Sequence, residues 1–160
     1  MSEKVPNKQK QETYARMKVG LNRAIQSRFY YEAIFIEYAI VEDRCTSMLK
    51  HAGVNYWKKT KDPAKPQEKN LRDKLNLLKD HHPFTEKELR KKIARETLDR
   101  ADAWREKRND LIHHLANIPY DSEAVEQVAL EGNDIVDEIS NAAKRVTTYF
   151  EKQEAKKNNG

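Results

Sequence analysis

The last third of the chain carries apolar residues at a helical spacing, and this pattern limits the fold more than any other feature. Between residues 122 and 154, apolar side chains recur at steps of three, four or seven: Val125, Val128, Ile135, Ile139, Ala142, Val146 and Tyr149. Such steps place them along one side of an α-helix. Asp121 or Ser122 is the predicted N-cap, because a short polar side chain accepts a hydrogen bond from the first turn. A helix of this length must bury its apolar side against other helices.

Four or five helices are predicted in total. Only 4 glycines and 5 prolines occur among 160 residues, whereas 36% are charged, and this composition favours helices over strands. The helix with the clearest start begins at Thr85, which forms a capping box with Glu88, and it ends before Pro119 with a break or bend before Glu96. The earlier helices are predicted at 9–27, 28–52 and 67–80. We therefore predict an all-α, antiparallel helical bundle.

The length of 160 residues fits one domain, with an ordered bundle over 9–154 and flexible tails at 1–8 and 155–160. The longest apolar run, 29–41, contains two glutamates and is shorter than the roughly 20 residues of a membrane-spanning helix. The N-terminus has no apolar signal segment. Cys45 is the single cysteine and cannot form an internal disulfide, which fits a reducing compartment. We predict a cytoplasmic protein with no membrane contact.

The charge balance permits, but does not require, a polyanionic partner. The formal net charge is +5 and the sequence pI is about 9.2. His51, His81, His82 and Cys45 do not have the spacing of a zinc site, so no metal or other cofactor is predicted.

One charged residue occupies a position where a core residue is expected. A seam of residues at steps of three and four faces the bundle: Ala101, Trp104, Arg108, Leu111, Leu115 and Ile118. A guanidinium that leaves water without a partner costs several kcal/mol, on the order of the penalty for any buried ion. Either an anionic group lies near Arg108, or the seam opens there into a cleft.

Glu37 is in a similar position on the second helix, in a row with Tyr30, Ile34, Val41 and Met48. Two interpretations remain open. In the first, Glu37 forms a buried ion pair with Arg108 or Arg44 that fixes the register of the helices. In the second, Glu37 does not contact the substrate but orients an active-site arginine.

The segment Arg108-Asn109-Asp110-Leu111-Ile112-His113 resembles the R-x4-6-H motif of HEPN proteins, in the form with Asn directly after Arg. Its place on a late helix of a short helical chain is also similar to that family. The resemblance implies a metal-independent endoribonuclease of a toxin or antiviral defence system, in which two copies build one cleft as a homodimer. Arg108 and His113 would be catalytic, and Asn109 would support them.

These residue types suit cleavage of RNA by its own 2′-hydroxyl. Imidazole exchanges protons near neutral pH, and a guanidinium presents two donors to phosphate oxygens. Asn109 is expected to hydrogen-bond His113, since the two are four residues apart. At about 100° per residue, Arg108 and His113 lie roughly 140° apart around the helix. A second copy of the chain is therefore expected to complete the cleft.

Two further groups are candidates for the site. His114 is a supporting residue or a solvated surface histidine, and the second interpretation is preferred. Trp57, Lys58 and Lys59 could stack a base and contact phosphates, but Trp57 could instead anchor its loop to the bundle. The competing function is a non-catalytic helical module that binds RNA, a nucleotide or a protein partner. An antitoxin or other regulatory protein is a further expected partner of a toxin.

Overall fold

The computed structural model describes residues 7–119 and 122–160, and these confirm the all-α bundle. The described residues form six α-helices and one short 3-10 helix (Leu115–Asn117): α1 (Asn7–Gln26), α2 (Tyr30–His51), α3 (Leu71–Asp80), α4 (Lys87–Lys92), α5 (Arg95–His113) and α6 (Glu123–Asn158). Most of the predicted N-terminal tail, and Asp121 as an N-cap, lie outside the described residues. None of the described helices combines the length and the apolar character that crossing a membrane requires.

The long helix α6 is the centre of the bundle. It packs against α2, α4 and α5, while α1 and α3 pack on the other sides of α2. Lys18 pairs with Asp137, and Arg100 pairs with Glu138, so α1 and α5 are two of the helices in contact with α6. Its predicted stripe is the core: Val125, Ile135, Ile139, Ala142 and Val146 are all buried.

The start of α6 confirms Ser122 as its N-cap, since the Ser122 hydroxyl accepts a hydrogen bond from the Val125 backbone N–H at 3.4 Å. Its end differs from the prediction. The helix continues to Asn158, past the expected end at residue 154, because residues 151–158 contain no glycine or proline that would interrupt it.

The helix predicted over 85–118 has the break that was predicted before Glu96. It is divided into α4 and α5 by Ile93 and Ala94, which have extended backbone angles, and the N-cap of α4 is Glu86 rather than Thr85. α5 ends at His113, before the short 3-10 helix. Leu115 is 48% exposed there and leaves the apolar seam, while Ile118 is partly buried against the core. The count of helices rises above five for this reason.

The loop before α3 is longer than predicted because its residues pair with one another. Trp57 and Glu68 form an isolated antiparallel bridge, and Lys58 N–H donates to the Gln67 carbonyl at 2.7 Å. The third helix therefore begins at Leu71 rather than at residue 67, after the N-cap Asn70.

Candidate functional site

The guanidinium of Arg108 lies over an aromatic ring. Its Cζ atom is 4.1 Å from the ring centroid of Tyr38 on α2. One turn earlier on α5, the buried Trp104 packs against Tyr38, with ring centroids 6.5 Å apart, and donates from Nε1 to the Val128 carbonyl at 2.9 Å. The two rings pack between α2, α5 and α6. The cation–π contact with the Tyr38 ring thus fixes the position of the Arg108 guanidinium.

Arg108 has no carboxylate partner in the described ranges 7–119 and 122–160. Its Nη1 donates to Asn109 Oδ1 at 3.1 Å, its Nε is buried without a hydrogen bond, and it forms no ion pair with any described residue. Burial lowers the pKa of Arg108, and the nearby Tyr38 and Glu42 oppose that shift. The seam position is therefore tolerated because an aromatic face replaces the expected anion, and the guanidinium keeps donors for a ligand.

More charged residues surround Tyr38 than the sequence suggested. Burial raises the pKa of Tyr38; Glu42 adds to the rise, and Arg108, Arg105 and Lys74 oppose it. Arg105 is almost buried and pairs with Asp102, its Nε 2.9 Å from Oδ1. Tyr38, Glu42, Lys74 and Arg105 were missed by the sequence analysis. The steps Tyr38 to Glu42 and Arg105 to Arg108 were the available signal, because residues three or four apart share a helix face.

The Trp57 loop is connected to this cluster by ion pairs. Lys74 is fully buried, and its Nζ lies 2.7 Å from Glu68 Oε2 and 3.4 Å from Glu42 Oε1. Glu68 is also the residue that pairs with Trp57 across the loop. Trp57 is 41% exposed, and its ring stacks on that of Tyr56 with the centroids 5.3 Å apart. The Trp57 side chain is therefore not buried in the bundle. Lys58 and Lys59 are exposed and form no ion pair with the described residues.

The two histidines of the motif are at the C-terminal end of α5. His113 is its last residue; its ring is exposed and makes no hydrogen bond to the rest of the described chain. The expected hydrogen bond from Asn109 to His113 is absent, since the Asn109 amide binds Arg108 instead. His114 is also exposed, and its Nδ1 lies 2.8 Å from the Asp110 carbonyl. One subunit therefore does not join Arg108 to His113.

A shallow apolar notch of about 330 Å³ lies beside the motif. Its lining includes Leu111 and His114 of the motif region together with Val128 of α6. Ile112 and Leu115, close by in sequence, are 38% and 48% exposed. The end of α5 therefore presents an apolar surface next to the exposed histidines.

Glu37 forms neither of the ion pairs considered for it. Its side chain is fully buried, and neither carboxyl oxygen has a hydrogen bond. Arg44 instead pairs with Asp43, and Arg108 is bound as described above. Glu37 lies against Gly132 of α6, where the Trp104 ring also packs closely. The ion-pair interpretation is wrong, because Glu37 makes neither an ion pair nor a hydrogen bond to Arg108 or Arg44.

The free energy of unfolding is expected to fall with rising pH because of Glu37. Burial raises its pKa from 4.5 to about 9, with Lys18 opposing the shift. Between pH 4.5 and about 9, the folded chain keeps a proton on Glu37 that the unfolded chain releases. The contribution of protonated Glu37 to the free energy of unfolding is therefore complete below pH 4.5 and is lost as pH rises towards 9. In this range the free energy of unfolding falls by up to about 1.4 kcal/mol per pH unit. Urea unfolding at several pH values should show a flatter profile for Glu37→Gln.

The matched control for this prediction is Glu32→Gln, which changes an exposed glutamate on the same helix. Its profile should follow that of the unmodified chain. Parallel profiles for Glu37→Gln and the unmodified chain would show that Glu37 is ionised in the folded protein.

A scan against protein-family models, a search of curated proteins and a search of solved structures each gave no match to this chain. Within the part of the chain that the structure describes, no group of three His, Cys, Asp or Glu residues could hold a metal ion. The site offers arginine, aromatic and histidine side chains for chemistry.

Proposed function

We propose that the chain is a metal-independent endoribonuclease of the HEPN type that acts as a homodimer. The observation that supports this most is the state of Arg108, whose guanidinium is held over Tyr38 without any ion pair. A structural arginine in a seam normally satisfies its charge with a carboxylate. An arginine that keeps its charge and its donors available is suited to bind a phosphate.

The proposed reaction needs only the RNA and protein side chains. The 2′-oxygen forms a bond to the adjacent phosphorus, and the bond from phosphorus to the 5′-oxygen breaks. A base takes the proton of the 2′-hydroxyl, and an acid gives a proton to the leaving 5′-oxygen. His113 is proposed as the proton-exchanging group and Arg108 as the group that neutralises the charge gained by the phosphate oxygens.

A second copy of the chain is the proposed occupant of the apolar surface at the end of α5. His113 is the neighbour in sequence of His114, which lines the notch, and a single subunit does not bring His113 to Arg108. Docking two copies through Ile112, Leu115 and the notch would place histidines of both copies at one interface. Burial of these exposed apolar side chains would favour association of the two copies.

RNA is the proposed substrate, and the Trp57 loop is its proposed additional contact. Trp57 presents a ring face, and Lys58 and Lys59 present unpaired charges, in a loop joined to the Arg108 cluster through Lys74. We place the activity in the cytoplasm, in defence or as a toxin. An antitoxin or another regulatory protein would then restrain it.

The test of this function is a comparison of two exposed histidines at helix ends. Mixed RNA incubated in EDTA should be cut by the unmodified chain and leave 2′,3′-cyclic phosphate ends. His113→Ala should reduce the rate by about 10²–10⁴-fold, the usual contribution of a general acid or base. His51→Ala is the matched control, because His51 is also exposed and is the last residue of its helix, α2, but lies outside the motif and the notch; this variant should retain most of the activity.

A second function is favoured by one observation. The His113 ring has no hydrogen bond among the described residues to set its orientation. The alternative is a helical module that binds RNA without cutting it. Retention of intact RNA in a gel shift, with no cyclic phosphate product from any of the three proteins, would support this alternative and exclude the nuclease.

A further inference from the structure

A second basic surface lies far from the motif, between α4 and the C-terminal half of α6. It is a groove of about 540 Å³. Glu88 is the one acidic residue of its lining. Five cationic side chains line the groove: Lys92, Lys144, Arg145, Lys152 and Lys156. Tyr149 lies among them and is half-buried.

The lysines of this groove are not neutralised by the chain itself. Glu88 pairs with Lys91, which is outside the lining, and Arg145 donates from Nε to the Lys92 carbonyl at 2.9 Å. Lys92, Lys144, Lys152 and Lys156 form no ion pair with the described residues. Lys18 and Lys107 pair with α6 carboxylates, whereas Lys58 and Lys59 in the Trp57 loop are also without an ion pair among the described residues.

The sequence of α6 separates its charges around the helix. At about 100° per residue, Arg145, Tyr149, Lys152 and Lys156 lie within an arc of about 60°. The acidic residues Glu151 and Glu154 lie on the opposite side of the same turns. Arg145, Lys152 and Lys156 thus form a row of positive charge parallel to the helix axis.

We infer that this groove binds the phosphodiester backbone of RNA. A line of unpaired cations matches a chain of regularly spaced phosphates, and Tyr149 offers a ring to a base. An anionic membrane is the less suitable occupant, because the large exposed apolar residues lie outside this groove: Val19, Phe29, Phe35, Trp57, Ile112, Leu115 and Leu130. A concave surface of cations without an apolar rim has nothing to insert into lipid.

The groove is separate from the nuclease motif. Tyr149 is about 30 Å along α6 from Val128, which contacts the Trp104 ring one turn before Arg108. The choice of RNA among polyanions rests on the proposed function. The groove would hold a part of the RNA distant from the cleaved bond, so its loss should weaken binding without changing the chemical step.

The test is binding of a labelled, single-stranded 2′-O-methyl RNA, which the proposed reaction cannot cut because it has no free 2′-hydroxyl. Fluorescence anisotropy is measured over a range of salt concentrations. Lys152→Glu with Lys156→Glu should weaken binding by about tenfold or more at low salt, and should reduce the slope of log Kd against log salt by about 1.4, or about 0.7 per lost phosphate contact. The control double variant, Lys8→Glu with Lys50→Glu, has the same net charge but changes exposed lysines on α1 and α2, outside the groove.

Equal weakening by the two double variants would overturn the inference, because it would show an effect of net charge alone. No weakening by either variant would also overturn it. Polyglutamate and phosphatidylserine vesicles serve as competitors at equal charge concentration. If either displaces the RNA more effectively than unlabelled RNA does, the groove has a different occupant and the inference is wrong.

These outcomes are distinct from those of the proposed function. Binding in the groove without cleavage of natural RNA would leave the inference intact and remove the nuclease. Cleavage by the unmodified chain that persists unchanged in the Lys152→Glu, Lys156→Glu variant, together with unchanged anisotropy, would remove the inference and keep the nuclease.

Discussion

Replacing Arg108 by alanine is expected to reduce RNA cleavage by about 10²–10³-fold in kcat, the usual loss when one preorganised group that stabilises transition-state charge is removed. The guanidinium is already fixed over Tyr38, so little reorganisation is needed when the phosphate becomes more negative. Arg108→Lys should recover only part of the loss, because an ammonium lacks the planar fork and cannot stack as well on the ring. Single-turnover rates with a defined RNA, in chelator, measure the effect.

The matched control for Arg108 is Arg100→Ala. Arg100 is two turns earlier on α5, is exposed, and pairs with Glu138 on the surface. Its loss should leave cleavage almost unchanged. Similar rates for the Arg100→Ala and Arg108→Ala proteins, both folded by circular dichroism, would exclude Arg108 from the catalytic site.

The second large effect is expected from Gly132→Ala. A Cβ atom at this position would lie 2.1 Å from Glu37 Oε2 and 2.8 Å from Trp104 Cζ2. Both neighbours are fully buried and have little room to move. Alanine normally stabilises a helix interior by about 1 kcal/mol relative to glycine. Overpacking of a core typically costs about 1–3 kcal/mol and sometimes more, so we expect a net loss of stability in urea unfolding.

Gly20→Ala is the control, because the chain offers a second helical glycine without a crowded neighbour. The nearest atom to its Cβ would be Ile36 Cδ1 at 3.8 Å, an ordinary contact. This variant should be as stable as the unmodified chain or more stable. In a double-mutant cycle, the loss of stability caused by Gly132→Ala should be smaller when Glu37→Ala is also present. The shorter side chain at position 37 vacates the space that the new methyl group needs. Stabilisation by Gly132→Ala alone would contradict the close packing.

The sequence predicted the helices where one side of each had a clear apolar period. The stripe from Val125 to Val146 is buried as expected, and Ser122 caps α6. The break predicted before Glu96 lies at Ile93 and Ala94, and its exact residues could not be predicted because neither disfavours a helix strongly and tertiary packing decides the outcome. Pairing of Trp57 with Glu68 joins residues eleven apart in a loop, which no periodic pattern reveals.

The candidate site was predicted in part. The seam identified Arg108 as an unusual residue, but the partner of a buried charge depends on which helix packs opposite it. Tyr38 is such a partner, and its role follows from the contact between α2 and α5 rather than from its own neighbours in sequence. Glu37 was recognised as unusual for the same reason, but the small volume of Gly132 that accommodates it could be seen only in three dimensions.

The length of α6 has a mechanical consequence. Its last two turns, residues 151–158, bury no side chain completely and are held mainly by their own backbone hydrogen bonds. An unsupported stretch this short is marginal as a helix in water, so these turns can open locally while the bundle stays folded. Lys152 and Lys156 are on this segment, and the outer wall of the basic groove can therefore adjust its width to what lies within it.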